Sequence, residues 1–217
     1  LHTGGFPEYV KKENPAILHE LLSDIVLKDI AARFGIKNTH ALNTLATYLL
    51  SNVGKEFSYN SLKGMLQIKS VQSIIDYVSH FENAYVLFTI PLFSNSYKKQ
   101  QVNPKKVYAI DTGFLRGNSL SFSKDEGRLL ENAVFLALRR KHKNIFYFKE
   151  EQECDFIVQE KNKVILAAQV CSDLNEENKE RETKGLLRAM NTCNLQEGLI
   201  LTQDQTDEFL AEGKKIL

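Results

Sequence analysis

The sequence lacks several features that would assign it to a class at once. It contains no GxxxxGK[ST] phosphate-binding loop, and its longest apolar runs, such as Tyr85 to Phe93, are too short to span a bilayer. Its net charge of +1 exerts no general attraction on nucleic acid, so any DNA-contacting basic surface has to be local. These absences exclude a membrane-spanning chain and a chain that carries its own nucleotide phosphate-binding loop.

Cysteine is also scarce, and its distribution indicates a reducing compartment. Cys154, Cys171 and Cys193 are odd in number and widely spaced, which favours reduced thiols over a disulfide framework or a zinc knuckle. No secretory signal peptide is recognisable, so we expect a soluble, cytoplasmic protein. Because the chain begins with Leu1 rather than Met, we also expect it to be a piece of a longer protein.

The sequence does contain a globular composition, with 43% hydrophobic and 25% charged residues. Helical periodicity and capping residues in the first half predict helices, which are followed by two strands joined by a polar segment. The predicted helices are Pro15–Phe34, Asn38–Asn52, one led by Ser58 and one led by Ser70, and the predicted strands are Tyr85–Phe93 and Lys105–Ile110. This order is typical of a winged helix-turn-helix module.

The pattern changes at Asp111-Thr112-Gly113, where we place a domain boundary, followed by a polar loop from Arg116 to Asp125. The predicted domains are a leading segment and helix (1–37), the winged helix-turn-helix (38–112) and an α/β domain (113–217). Beyond the loop, the pattern predicts one helix, three strands, a second helix, a strand and a closing helix. Their ranges are Gly127–Lys141, Ile145–Lys149, Cys154–Gln159, Val164–Val170, Lys179–Asn191, Gly198–Thr202 and Asp204–Lys215.

The order of these elements predicts a PD-(D/E)XK nuclease-like (restriction-endonuclease-like) fold, which makes the whole chain α+β. In that fold, carboxylates hold Mg²⁺ against a phosphate oxygen, and a lysine stabilises the negative charge of the transition state. Glu131 on the first helix and Asp155 on the second strand occupy catalytic and metal-binding positions. The triplet expected to read acid-x-lysine reads Gln169-Val170-Cys171, so we predict a degenerate site with weak metal binding at most. Lys149, Lys163 and Lys184 are the candidates for a relocated lysine.

Two groups of residues are candidates for DNA contact. The helix led by Ser70 would be the recognition helix, and its leading polar residues could bond phosphates or base edges. The predicted hairpin would add lysines that contact phosphates without reading sequence. The candidate residues are Lys69, Ser70, Gln72 and Ser73 on the helix and Lys98, Lys99, Lys105 and Lys106 on the hairpin.

Six strings of the sequence resemble a known prokaryotic family, and together they extend over nearly the whole chain. They are Gly4–Glu8, Leu27–Ile30, Asn103–Tyr108, Ile110–Gly113, Leu130–Phe135 and Asp155–Val158. The family is the uncharacterised C-terminal region that follows an AAA+ ATPase module in bacterial and archaeal ATPases. The resemblance implies a winged helix joined to a PD-(D/E)XK-like domain, with ATP bound only by the upstream module, which would also be a partner. Many family members read Glu-Val-Lys where this chain reads Gln169-Val170-Cys171.

Three functions remain open at this point. The first is a DNA-binding accessory region of an ATPase, whose nuclease-like domain is inactive. The second is a metal-dependent nuclease with a relocated lysine. The third is a protein-docking region without a nucleic-acid role, for which the acidic segment Asp173–Glu182, predicted to be exposed, would be suited.

Overall fold

The computed structural model describes residues 3–119 and 126–217 and confirms the predicted α+β class. The described residues form two compact units. The first unit contains residues 3–89 and 104–119, and the second contains residues 90–103 and 126–217. No helix in these described ranges is long and apolar enough to cross a membrane.

Helices predominate among the described residues before 120, and strands are the more numerous elements after 125. The elements up to residue 119 are α1 (Pro7–Lys12), α2 (Ala16–Asp24), a π-helical segment (Ile25–Ala31), α3 (Ala32–Phe34), α4 (Thr39–Ser51), β1 (Glu56–Phe57), α5 (Tyr59–Met65), α6 (Val71–Asn83), β2 (Leu87–Pro91), α7 (Tyr97–Val102), β3 (Lys105–Ala109) and α8 (Thr112–Asn118). The elements after residue 125 are α9 (Glu126–Lys141), β4 (Asn144–Lys149), β5 (Glu153–Glu160), β6 (Lys163–Val170), α10 (Lys179–Thr192), β7 (Glu197–Leu201), β8 (Phe209–Ala211) and β9 (Lys214–Ile216).

The first long helix of the first unit runs as predicted to the left-handed Gly35, but its middle third is π-helical. Its buried stripe explains the change of winding. Leu18, Leu22, Val26 and Ile30 are all buried and are spaced by four residues. A four-residue spacing drifts by about 40° per step around a 3.6-residue helix, and the wider π-helical turns correct that drift.

Side-chain caps start the next three helices where the sequence predicts them. Asn38 Oδ1 accepts a hydrogen bond from the Ala41 amide before α4, at 3.0 Å. Ser58 caps α5 and Ser70 caps α6 in the same way. Such caps satisfy backbone N–H groups that the first helical turn leaves without partners. The buried stripe of α4 then forms the centre of this unit's core.

A three-stranded sheet completes this part of the chain, with β3 between β1 and β2. Strand β1 is antiparallel to β3, and Phe57 lies opposite Lys105. The segment Ser94–Pro104, predicted to be a polar connection, contains the short helix α7. Residues 90–103 belong to the second unit, so α7 does not form the tip of a hairpin within the first unit.

The region predicted to be a domain boundary is a buried helix of the first unit. Asp111 caps α8 by accepting a hydrogen bond from the Phe114 amide at 2.8 Å, and Phe114 is fully buried. Asn118 donates a hydrogen bond to the Leu18 carbonyl on α2, at 3.1 Å. The break predicted at Asp111-Thr112-Gly113 is therefore the start of a helix, and residues 3–37 and 112–119 belong to the same unit. The rest of the predicted polar loop, residues 120–125, lies outside the described residues.

Residues 3–6, which we call the N-terminal strap, lie against the start of α8. The Gly5 amide donates a hydrogen bond to Asp111 Oδ2 at 2.7 Å, and the Phe6 and Phe114 ring centroids are 5.6 Å apart. The backbones of the strap and of α8 lie too close together for a side chain at residue 113, because a Cβ on Gly113 would lie 2.3 Å from the Thr3 carbonyl oxygen. A residue-specific contact thus fixes the strap to this unit.

The second unit contains a six-stranded mixed sheet in the order β4-β5-β6-β7-β9-β8. Strands β4 to β6 are antiparallel neighbours, whereas β7 is parallel to both β6 and β9. Phe135 of α9 stacks on Phe156, and Leu186 and Met190 of α10 pack with Ile157. Since successive strand residues point to opposite faces, the two helices cover opposite faces of the sheet.

The predicted closing helix Asp204–Lys215 is wrong, because this region contains the antiparallel hairpin β8–β9. Glu212 and Gly213 connect the strands with φ angles of 50° and 75°. Two consecutive positive φ values are the geometry of a type I′ turn, which matches the twist of a hairpin and would break a helix. The other predicted helices and strands of this unit are confirmed to within a residue or so at their ends.

Candidate functional site

A buried polar network joins β5, β6 and α10 in the second unit. Asp155 and Glu182 are each only 6% exposed, and the side chain of Gln169 lies between them. The Asp155 amide donates to Gln169 Oε1 at 3.2 Å, and Gln169 Nε2 donates to Glu182 Oε2 at 2.7 Å. The Val170 amide donates to Asp155 Oδ2 at 3.0 Å. We call Asp155, Gln169 and Glu182 the carboxamide bridge.

Arg181 neutralises the outer end of this bridge. Its Nε and Nη2 atoms both donate to Glu182 Oε1, at 3.0 and 2.5 Å. Each oxygen of the Glu182 carboxylate therefore accepts at least one hydrogen bond, one from a carboxamide and the other from a guanidinium. Hydrogen bonds of this charge-assisted kind are among the stronger ones in proteins, and they compensate for burial of the carboxylate.

An open cleft of about 430 Å³ lies beside the bridge. Its walls carry charges of both signs. The charged residues that line it are Arg128, Glu131, Asp173, Arg181 and Glu182. The predicted site residue Glu131 therefore shares a cleft with Glu182. Val170, whose amide donates to Asp155, lines the same cleft, which places all three carboxylates in one neighbourhood.

Cys171, the third residue of the degenerate triplet, also lines this cleft. Burial, together with the nearby carboxylates Glu182, Asp173 and Asp155, raises the pKa of its thiol to about 11. The thiol is protonated at neutral pH, whereas the thiolate is the nucleophilic form of cysteine. Cys171 thus supplies neither the positive charge of a lysine nor a reactive sulfur.

The donor set does not suit the Mg²⁺ ion that a PD-(D/E)XK centre holds. Mg²⁺ requires oxygen ligands in a near-octahedral arrangement. Here Gln169 Oε1 accepts the Asp155 N–H, and Gln169 Nε2 directs its protons towards Glu182. Within residues 3–119 and 126–217, no group of three or more His, Cys, Asp or Glu side chains is arranged to hold a metal ion.

The three candidates for a relocated lysine lie in different places. Lys163 starts β6, six residues before Gln169, which is about 20 Å along an extended strand. Lys184 is paired with Glu180 on the exposed face of α10 at 2.6 Å. Lys149 is paired with Glu153 at 3.5 Å, two residues before Asp155 on β5. Lys149 therefore lies at the Asp155 end of β5, whereas Lys163, opposite Glu160, lies at the other end.

The predicted recognition helix presents a polar start in the first unit. Lys69, Ser70 and Gln72 are exposed, whereas Ser73 is half-buried. The Ser70 hydroxyl accepts a hydrogen bond from the Gln72 amide at 3.1 Å, and Gln72 Nε2 donates to Asp76 Oδ1 at 2.8 Å. Gln72 would have to release Asp76 before its amide could bond a base edge.

The four lysines predicted on one hairpin do not have equal access to DNA. Lys98 and Lys99 are exposed on α7 of the second unit, and Lys105 is half-buried in the first unit, 5.8 Å from the Tyr59 ring centroid. Lys106 is only 2% exposed, so its buried ammonium cannot reach a phosphate in this conformation. Lys106 is therefore removed from the candidate contacts, and the other three remain.

Glu182 and Arg181 were not predicted as site residues, since the segment Asp173–Glu182 was expected to be exposed. The structure buries Glu182 and exposes its neighbour Arg181. Glu182 precedes the buried residues Leu186 and Met190 at four-residue spacing, and that helical stripe is the signal that could have identified it.

Comparisons with known proteins find relatives but no characterised activity. Two models, each described as a domain of unknown function, match the chain: DUF8612 over residues 1–125 and DUF4143 over residues 126–217. The second domain is found in AAA-ATPase-associated proteins. No solved structure matches the chain.

Two curated relatives extend beyond the matched region. An uncharacterized protein of Methanocaldococcus jannaschii is 36% identical over 208 residues, which cover 88% of this chain and 45% of that protein. An uncharacterized protein of Haemophilus influenzae is 30% identical over 192 residues, which cover 85% of this chain and 47% of that protein. The chain spans about half the length of the curated relatives it matches.

Proposed function

The chain belongs to the family described as a domain of unknown function, DUF8612, and from this premise we propose that it is a DNA-binding accessory region of a longer ATPase. In this proposal the first unit contacts DNA, and the second unit is a nuclease-like scaffold without catalytic activity. The association of DUF4143 with AAA-ATPases and the greater length of the relatives support an ATPase module elsewhere in the parent protein.

The observation that carries the proposal is the exposed start of α6, the second helix of the pair α5–α6. Helices α4, α5 and α6 and the sheet β1-β3-β2 follow the order of a winged helix-turn-helix, in which the second helix of the α5–α6 pair enters the major groove. The start of α6 carries Lys69, Ser70 and Gln72 at the surface. Amides and cations at a helix N-terminus are well suited to bind phosphate.

The composition of this surface favours DNA binding without sequence specificity. Helix α6 contains no arginine, the residue that most often reads guanine, and Gln72 is bonded to Asp76. The remaining lysines, including Lys105 beside Tyr59, are suited to phosphate contacts. We therefore expect binding that weakens steeply with salt and depends little on sequence.

The second unit follows the order of a PD-(D/E)XK domain, with α9, three antiparallel strands, α10 and a parallel strand. Gln169 and Cys171 stand at its acid-x-lysine position. The Gln169 carboxamide is hydrogen-bonded to the Asp155 amide and to the Glu182 carboxylate. A site without a lysine at this position lacks the charge that stabilises phosphoryl transfer. This chemistry supports a scaffold rather than a nuclease.

Fluorescence anisotropy with labelled duplex DNA at several salt concentrations tests the DNA proposal. We expect the double variant Lys69→Ala, Lys105→Ala to bind DNA more weakly. The slope of log K against log salt concentration should become shallower by about one for each lysine removed. The matched control is Lys11→Ala, Lys37→Ala, which removes two exposed lysines of the same unit and keeps the wild-type affinity. Equal losses in both variants, or no binding by the wild-type chain at low salt, would rule out this DNA surface and leave a protein-docking role.

The position of Lys149 favours one alternative, a metal-dependent nuclease in which this lysine replaces the missing one. The anisotropy samples, incubated with Mg²⁺ or Mn²⁺ and analysed on a gel, distinguish the two functions. Intact DNA supports the scaffold. Cleavage that Asp155→Ala and Lys149→Ala both abolish would establish the nuclease instead.

A further inference from the structure

We propose that the Gln169 carboxamide is a neutral bridge that fastens helix α10 to the sheet and keeps divalent cations out of the surrounding carboxylates. The inference concerns the second unit and does not depend on DNA binding by the first. The two ends of the Gln169 side chain have different partners. Gln169 Oε1 accepts from the Asp155 amide, and Gln169 Nε2 donates to the Glu182 carboxylate.

No other side-chain type of this length satisfies both partners at neutral pH. A glutamate at position 169 would accept from the Asp155 amide but would have no proton for Glu182. Two carboxylates would then face each other in a poorly solvated place, where one of them is forced to take up a proton or a cation. A lysine would donate to Glu182 but would leave the Asp155 N–H without its acceptor.

The close approach of α10 to the sheet explains why the bridge can form. A Cβ on Gly185, three residues after Glu182, would lie 2.0 Å from the Glu153 carbonyl oxygen on β5. The glycine therefore allows the helix backbone to contact the strand directly. This contact brings the first turn of α10 near β6, so that Glu182 lies within hydrogen-bond distance of Gln169.

The same hydrogen bonds oppose cation binding. Gln169 Nε2 and Arg181 occupy the two oxygens of Glu182 with N–H donors, and a divalent cation would have to displace them. The Val170 amide also donates to Asp155 Oδ2. N–H donors thus contact both Glu182 oxygens and Asp155 Oδ2, which a cation would need as ligands, and Arg181 adds a full positive charge.

Thermal unfolding and calorimetric titration of the full chain with Mn²⁺, Mg²⁺ and Ca²⁺ test the proposal. We expect the wild-type melting temperature to be unchanged by these ions, and titration to give no binding heat. We expect Gln169→Glu in EDTA at about pH 8 to melt about 5 °C lower, because a charge-assisted hydrogen bond is replaced by repulsion. Acidification to about pH 5, or addition of Mn²⁺, should recover most of that loss, since a proton or a cation replaces the missing donor.

Two further variants separate this explanation from simple loss of packing. Gln169→Met keeps the length of the side chain but removes both hydrogen bonds, so we expect a lower melting temperature that neither acid nor Mn²⁺ restores. The exchange Gln169→Glu, Glu182→Gln places a donor opposite an acceptor again, and it should melt above Gln169→Glu alone.

The opposite results would overturn the proposal. Wild-type binding of Mn²⁺ that Asp155→Asn abolishes would show that the bridge does not exclude cations. Equal melting of Gln169→Glu and wild type in EDTA at about pH 8 would show that the carboxamide is not required. If Gln169→Glu does not fold, the wild-type titration decides alone: no binding supports exclusion, and binding contradicts it.

Discussion

Gln169 illustrates how the exchange of a single oxygen for an NH₂ group alters a site. Gln169 and Cys171 stand where the resemblance of the sequence implies an acid and a lysine, and the carboxylates of Asp155 and Glu182 lie close by. The carboxamide donates an N–H group to the Glu182 carboxylate, whereas the Asp155 carboxylate accepts a hydrogen bond from the Val170 amide. The identity of residue 169 indicates a neutral side chain at this position but could not predict the bridge, because Glu182 comes from a different element.

His80 is a half-buried histidine near the end of helix α6. Its imidazole stacks on the Phe34 ring with 3.7 Å between centroids, and burial lowers its pKa despite the opposing effect of Asp76. The unfolded chain then binds the proton more readily, so stability is lost as pH falls below about 6.5. We expect urea unfolding to show a smaller loss between about pH 7.5 and 5.5 for His80→Gln than for wild type.

The control for this prediction is His40→Gln, which removes an exposed imidazole from the same unit. It measures the effect of losing an imidazole that lies outside the His80–Phe34 stack. Equal slopes for His80→Gln and wild type would contradict the prediction, whatever their absolute stabilities.

The start of α8 gives the clearest prediction at the scale of elements. Gly113→Ala would place a methyl group 2.3 Å from the Thr3 carbonyl oxygen, so the N-terminal strap has to move. We expect a loss of about 1–3 kcal/mol in the free energy of unfolding and faster hydrogen exchange in residues 3–9. Urea unfolding and hydrogen-exchange mass spectrometry measure the two effects.

Gly64→Ala is the matched control, because an added Cβ there meets no atom within 4 Å and the residue lies in helix α5. Alanine should be neutral or should stabilise this helix by up to about 1 kcal/mol. Wild-type exchange rates in Gly113→Ala would show that the strap is not fixed by this contact.

The elements also show where sequence patterns suffice and where they fail. Helices with an apolar stripe and a polar cap, such as those led by Asn38 and Ser70, were predicted because cap and stripe are both local. Helix α8 was missed because its polar Asp111-Thr112-Gly113 start resembles a loop, and only its partners bury it. The final hairpin was missed although Glu212-Gly213, which connects its strands, is a residue pair typical of a turn.

At the scale of the whole molecule, each compact unit has its own buried core. Leu45 lies in the core of the first unit and Leu186 in that of the second, and neither is exposed. Units with separate cores can unfold in separate transitions, so we expect calorimetry to resolve two. Leu45→Ala and Leu186→Ala should each lower one transition, at a cost of about 2–5 kcal/mol.

The two variants serve as controls for each other, since each should leave the other's transition in place. A single transition that both variants lower equally would show that the units unfold together. That result would also mean that effects measured in one unit report on the other.

The path of the chain between the units has a consequence for how such proteins recombine. The chain leaves the first unit after residue 89, returns at residue 104 and leaves it again before residue 126. Residues 90–103 thus precede the boundary between the two family models, yet Phe93 packs on Phe146 beyond it. Recombination that replaced residues 126–217 with another domain would leave the Phe93 ring without Phe146. The incoming domain would therefore have to supply an equivalent apolar surface for Phe93.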